Sequence, residues 1–155
     1  MPATPSVLFV CLGNICRSPL AEGALRDLAA RSGVAVAVDS AGTGDWHVGD
    51  PPDTRAQRVA RRHGVEIGGL RGRQVAVGDF LRFDHIVALD RQNLADLRKV
   101  APAGATARLS LLLDHVPGRE GQAVADPYYG DEAGFDVTWA EVRLGAEGLL
   151  RLITG

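Results

Sequence analysis

At 155 residues the chain suits one domain with a full core and is short for two. A hydrophobic share of 46% beside 23% charged residues is globular, and a formal net charge of −2 offers no basic field for nucleic acid. No apolar run nears the roughly eighteen residues of a membrane span, and the first residues lack the basic and apolar segments of a leader; the expectation is a cytoplasmic protein without a membrane partner, export without a signal peptide being left open.

Val7 to Val10 form a short β-rich apolar run, and Ser18-Pro19 reads as the N-cap and first position of a helix. That helix carries Leu20, Ala24, Leu25, Leu28 and Ala29 at helical spacing. Residues 34–40 read as a second strand, 41–53 as a loop rich in Gly, Pro and Asp, and 54–62 as a helix closed by His63-Gly64. Residues 70–80 fit neither period. A third strand is expected at 85–89, a helix at 92–100 stopped by Pro102, a fourth strand at 107–111, and a closing helix at 135–153. The stripe of that last helix, Phe135, Trp139, Val142, Ala146, Leu149 and Ile153, marks a core face. Alternation of strands and helices predicts an α/β fold over 1–155: a single domain with an open parallel four-stranded sheet, helices on both faces, doubly wound and flavodoxin-like. Ligands of such sheets bind at the carboxyl ends of the strands, where Cys11 and Asp90 fall.

The turn between the first strand and the first helix is short. Gly13 and Asn14 tolerate unusual backbone angles, so successive N–H groups from Leu12 through Arg17 can face one centre and form an anion nest at a helix N-terminus. Arg17 adds a planar fork of donors that grips two oxygens of a phosphate at once, a geometry Lys lacks. Cys11 lies on the floor of the nest. Thiols at helix N-termini titrate at about 3.5 to 7.5 rather than about 8.5. A fall of about three and a half units takes about 5 kcal/mol. A helix dipole supplies about 0.3 to 2 kcal/mol and each hydrogen bond to a charged group about 1.5 to 3, so two or three donors are needed besides the dipole. The loop amides and the Ser18 hydroxyl are the candidates.

Two cysteines, Cys11 and Cys16, are too few for a disulfide scaffold and close enough in sequence for redox chemistry with each other. The histidines at 47, 63, 85 and 115 lack the spacing of a metal site, so no metal or cofactor is expected. Asp126 precedes Pro127, which restricts its backbone, and stands beside Tyr128 and Tyr129. Asp53 and Asp90 read as caps of the helices that follow them or as residues at the pocket rim, and neither as catalytic.

Residues Cys11 to Pro19, CLGNICRSP, followed by Leu-Ala-Glu22, and the late run Asp126-Pro-Tyr-Tyr-Gly130, resemble the signature and acid loops of the low-molecular-weight protein tyrosine phosphatases. The resemblance continues through residues 39–49, 62–65, 73–74 and 83–90. It implies that Cys11 is the nucleophile and forms a phosphocysteine, that Arg17 binds phosphate, and that Asp126 protonates the leaving phenolate and then activates water. It further implies that Leu12, Gly13, Asn14, Ile15, Cys16 and Ser18 surround the phosphate, that Trp46, Tyr128 and Tyr129 border an aromatic substrate, and that Asn14, Ser18, Ser40 and His63 support the loop. Cys16 would be the redox partner of Cys11. The partners implied are phosphotyrosine proteins or peptides, met by a monomer or weak dimer.

Three other readings use the same cradle. An arsenate reductase of this fold passes a disulfide to a further cysteine, which the chain lacks after Cys16. A protein arginine phosphatase resembles the family but tends to carry Thr where Ile15 stands and a less aromatic acid loop. A phosphate-binding module without turnover has no use for both Cys11 and Asp126.

Overall fold

The computed structural model describes residues 4–155. Strand β1 (Ser6–Cys11) lies inside a four-stranded, all-parallel sheet of order β2-β1-β3-β4, flanked by β2 (Ala37–Gly42) and β3 (His85–Ala88), with β4 (Arg108–Leu111) at the far edge. An unbroken apolar run suits that position because both faces of β1 are covered. Val7 and Phe9 enter a core with α1 (Arg17–Ser32), α2 (Thr54–Arg62) and α5 (Glu132–Thr154). Leu8 and Val10 enter a second core with Phe80 and Phe83 around α3 (Asp79–Arg82) and Leu94 and Leu97 of α4 (Arg91–Val100). The expected open, doubly wound α/β domain is the fold found, and among the described residues no helix is long and apolar enough to cross a membrane.

Most boundaries shift by one or two residues from the sequence reading, and the larger or more telling differences have local reasons. Helix α1 starts at Arg17, and Cys16 rather than Ser18 occupies the N-cap without a side-chain cap bond. The Ser18 hydroxyl is engaged elsewhere, with Cys11 and Asn14. Strand β2 begins three residues late, because Gly33 adopts the left-handed C-cap and Val34 N–H returns to the Ala29 carbonyl, so residues 34–36 close α1. Helix α5 begins at Glu132, since Asp131 accepts from Gly134 N–H and serves as its cap. The ambiguous segment 70–80 bridges β2 through Gly42 and Gln74, then makes the single turn of α3.

The chain leaves β1 toward β2 on one side and returns to β3 on the other. The crevice between the carboxyl ends of β1 and β3 is therefore the switch point at which doubly wound sheets bind ligands. The loop after Cys11 and the Asp90 cap of α4 open onto it.

Close approach of α5 to the 3-10 turn Leu112–His115 depends on two glycines: a Cβ at Gly145 would overlap the Leu112 side chain, and one at Gly148 the His115 carbonyl oxygen. Ala is otherwise the better helix former by about 1 kcal/mol. Overpacking costs about 1 to 3 kcal/mol, and a backbone carbonyl yields less readily than a flexible side chain. Gly148→Ala should lower the urea unfolding free energy by about 2 kcal/mol; an unchanged or raised midpoint would contradict the packing described.

Candidate active site

The loop from Cys11 to Arg17 keeps its carbonyls outside. Cys11 C=O accepts from Thr43 N–H at 2.9 Å, Leu12 C=O from Gly44 N–H at 3.0 Å, and Ile15 C=O from Asp53 N–H at 2.8 Å. The amides of Leu12, Gly13, Ile15 and Cys16 take no protein acceptor among the described residues. Neighbouring loops thus hold the peptide planes with carbonyls out and donors free, as an anion nest requires. Gly42 makes room for this, because a Cβ there would stand 2.8 Å from the Leu12 carbonyl oxygen. Asn14, at φ 58°, is the one non-glycine residue with positive φ among those described, while Gly13 is not in that region. The expected freedom of Gly13 is used instead for closeness to the His47 ring, 3.2 Å from where its Cβ would be.

Behind the loop runs a chain of buried polar groups. Glu22, 2% exposed, accepts the Ser40 hydroxyl proton at 2.7 Å. Ser40 Oγ accepts from Asn14 Nδ2 at 3.0 Å, and the same Nδ2 donates to Ser18 Oγ at 2.8 Å. Asn14 Oδ1 accepts from Arg73 N–H at 3.0 Å, which fixes the orientation of the amide. Both amide protons being committed, Ser18 accepts from Asn14 and its own proton is left for Cys11 Sγ, 2.9 Å away. Asn14 N–H also donates to Cys11 Sγ, at 3.3 Å. Two donors therefore meet the sulfur. Asn14, Ser18 and Ser40, the expected supports, make these bonds with Glu22 and Arg73, which lie in the runs that carry the resemblance but were given no role there. His63 does not join the chain: it ends α2 and stacks on Trp139 with ring centroids 5.0 Å apart.

Arg17 is buried and aimed by partners from two other loops. Its Nη1 donates to Asp90 Oδ2 at 2.8 Å and to the Val124 carbonyl at 3.1 Å. Asp90 Oδ1 meanwhile caps α4 by accepting from Asn93 N–H at 2.7 Å. Asp90 is thus the expected helix cap through one oxygen and the partner of Arg17 through the other, and it does not line the cavity at whose rim it was also expected. The remaining Arg17 Nη2 faces Asp126 Oδ2 at 3.6 Å. Asp126 Oδ1 accepts from Tyr128 N–H at 3.1 Å, an Asx turn that leaves Oδ2 as the oxygen facing the pocket. Arg55 fastens this loop from beneath: it pairs with the Asp53 carboxylate and donates to the Tyr128 and Gly130 carbonyls. Burial works against the Asp53 charge, yet the Arg55 hydrogen bonds hold its carboxyl below the usual range.

Together these loops enclose a cavity of about 440 Å³ with Cys11 and Arg17 at its base and Leu12, Ile15, Trp46, His47, Tyr128 and Tyr129 among its walls. Gly13, Cys16 and Asp126 line it as well. His47 was missed in the sequence, where nothing set it apart from the loop around it. Asn14, Ser18 and Ser40 lie behind the wall.

A model of the low molecular weight phosphotyrosine protein phosphatase family matches residues 6–154. The chain belongs to that family. It is 44% identical over 150 residues to the low molecular weight protein-tyrosine-phosphatase YfkJ of Bacillus subtilis, covering 96% of this chain and 95% of the relative. The YfkJ crystal structure is also similar, with a TM-score of 0.91 over 99% of this chain and 96% of that one. A protein tyrosine phosphatase from Entamoeba histolytica has a TM-score of 0.92 at 32% identity, with 97% of each chain covered. The Drosophila arginine phosphatase DARP reaches 0.91 at 33% identity, over 96% of this chain and 98% of that one.

Burial raises the carboxyl of Glu22 above its usual 4.5, against the Ser40 and Arg26 interactions that pull it down. The folded state of this phosphatase-family chain therefore holds the Glu22 proton more tightly than the unfolded chain does. That contribution is complete below 4.5 and is lost as pH rises through the higher folded value. Glu22→Gln cannot titrate, so relative to wild type its unfolding free energy should improve as pH rises from about 4.5 toward neutrality. A difference that stays flat across that range in chemical denaturation would contradict the assignment.

Proposed function

We propose that the protein is a protein tyrosine phosphatase acting on phosphotyrosine in proteins or peptides, and on small aryl phosphates, through a phosphocysteine. The observation that carries this reading is the loop whose outward carbonyls leave its amides around Cys11, with Arg17 fixed by Asp90 beside it. In the first step Cys11 Sγ attacks phosphorus, the bond to the phenolic oxygen breaks, and Asp126 Oδ2 gives its proton to the departing oxygen. Arg17 and the loop amides meet the charge on the equatorial oxygens, where preorganised donors act most strongly in the transition state. In the second step Asp126 takes a proton from water, the water oxygen attacks phosphorus, and the sulfur–phosphorus bond breaks to return phosphate and the Cys11 thiolate.

The walls of the cavity favour an aromatic ester. Its lining includes Trp46, the edge-to-face pair Tyr128 and Tyr129, whose ring centroids are 4.9 Å apart, and the apolar Ile15. A phenyl ring held there would put its phosphate over Cys11. A phosphoarginine substrate is the second reading, supported by the likeness to DARP; Ile15 and the paired tyrosines weigh against it. Cys16, in the reading proposed here, protects the nucleophile. Burial pushes its thiol well above the ordinary range, and the charges of Asp53, Cys11 and Asp126 add to that. Conversion of Cys11 to a sulfenic acid removes one of those charges and presents the sulfur that the Cys16 thiol attacks, giving a disulfide with loss of water.

For a phosphotyrosine peptide, Asp126→Asn should slow turnover by about a hundredfold or more, the usual worth of a general acid. With a very acidic phenol as leaving group the loss should shrink, and equal losses on both esters would assign the proton to another group. In a separate assay, peroxide should inactivate wild type in a way that dithiol reverses, while Cys16→Ser should be lost permanently through overoxidation of Cys11. Full recovery of the variant by dithiol would remove Cys16 from the protective role.

A further inference from the structure

A second cavity, about 580 Å³, adjoins the first and shares Leu12 and Trp46 with it. The Trp46 ring packs against Gly44, where any Cβ would overlap it, and is common to the linings of both. Among polar groups the lining of the second presents exposed apolar side chains: Val77 on the turn before α3 and Val100 at the end of α4 are each at least half exposed, and Leu12 and Trp46 line the same groove. Soluble chains seldom leave large side chains exposed together unless the patch binds something.

The groove also carries main-chain and polar features suited to a peptide. Thr43 Oγ1 is buried without a hydrogen-bond partner among the described residues. Gly42 N–H donates to the Arg73 carbonyl and Val75 N–H to the Gly42 carbonyl, so Gln74, between them, turns its own N–H and C=O away from the sheet. Those two groups have no backbone partner among the described residues and mark an open edge, the kind of edge to which an extended peptide adds. Lys99, on the same wall, makes no ion pair among the described residues, while Asp96 is engaged by Gln92.

We propose that this groove is the subsite for the substrate polypeptide beside its phosphotyrosine, and that it selects an apolar side chain within about three positions of the phosphorylated residue. The proposal rests on the phosphotyrosine reading above and names the substrate class more closely. Its occupant follows from continuity: a chain whose tyrosine enters between Trp46 and Tyr128 must pass over one wall of the cavity, and over Trp46 it meets this patch. At about 3.3 to 3.6 Å per extended residue, two or three residues cross one indole and its margins.

The test compares kcat/KM for phosphotyrosine peptides carrying Leu or Gly at the flanking positions, with a small aryl phosphate as reference, in wild type, Val77→Asp and Val100→Ser. Both substitutions are at exposed positions outside the catalytic machinery, and a thermal melt checks folding. Wild type should prefer one Leu peptide by about tenfold or more, and each variant should lose most of that preference while hydrolysing the aryl phosphate as before. Hydrolysis of all phosphotyrosine peptides alike would overturn the groove and leave the phosphatase reading intact. Hydrolysis of the aryl phosphate but of no phosphotyrosine peptide would overturn the phosphotyrosine reading and this proposal with it. An oligomer that Val77→Asp dissociates, with peptide preference unchanged, would assign the patch to a second copy of the chain instead.

Discussion

Asn14 is the residue on which the remaining geometry depends. A non-glycine residue in the left-handed region costs about 1 to 2 kcal/mol, and its backbone must stay there for the amides on either side to face inward. The side chain offsets that cost with three hydrogen bonds, buried ones to Ser18 and Ser40 and a partly buried one from Arg73 N–H, each contributing about 0.5 to 1.5 kcal/mol. Each partner lost narrows that balance. Ser40 sits at the buried end of β2, and Arg73 reaches Asn14 through its backbone, so a side-chain change at Arg73 leaves that bond available. Glu22, from the second turn of α1, then sets the direction of the chain by accepting the Ser40 proton.

The same economy governs Arg17. A buried guanidinium without a counter-ion would be costly, and Asp90 supplies one from the neighbouring strand end while still capping α4. This is possible because β1 and β3 are adjacent and parallel, so that their carboxyl ends meet at one place. Asp126 arrives from a loop with no regular structure of its own, held by the Arg55 clasp and by the cap of α5 at Asp131. Cys11 and the loop that follows it thus rest on regular elements, and Asp126 on a tethered loop.

Much of this was legible in the chain because it is local. The β-strand, the Gly-Asn turn, Cys11 and Arg17 fall within a dozen residues, and the alternation of strands and helices predicts where their ends meet. Ser18 shows how a local reading goes astray: a serine before proline is the expected helix cap, but a cysteine sulfur and an asparagine amide compete for the hydroxyl and win. His63 shows the same for a ring whose partner, Trp139, lies on a distant helix. Arg73 and His47 lie in runs that share the family resemblance, but their roles, like that of Arg55, had no local signal, since Arg73 is 59 residues from Asn14 and Arg55 is 73 from Tyr128, and only the folded sheet brings them together.

The central claim is that the cradle turns Cys11 into a nucleophile that carries the phosphoryl group. The most direct measurement is to mix the Asp126→Asn protein with an aryl phosphate of a very acidic phenol, quench within the first turnover, digest, and locate the phosphoryl group by mass spectrometry. The account predicts one phosphoryl group on the peptide containing Cys11, absent when Cys11→Ser is introduced. A phosphoryl group on any other residue, or phosphate released with no covalent intermediate while phenol appears in a burst, would contradict it.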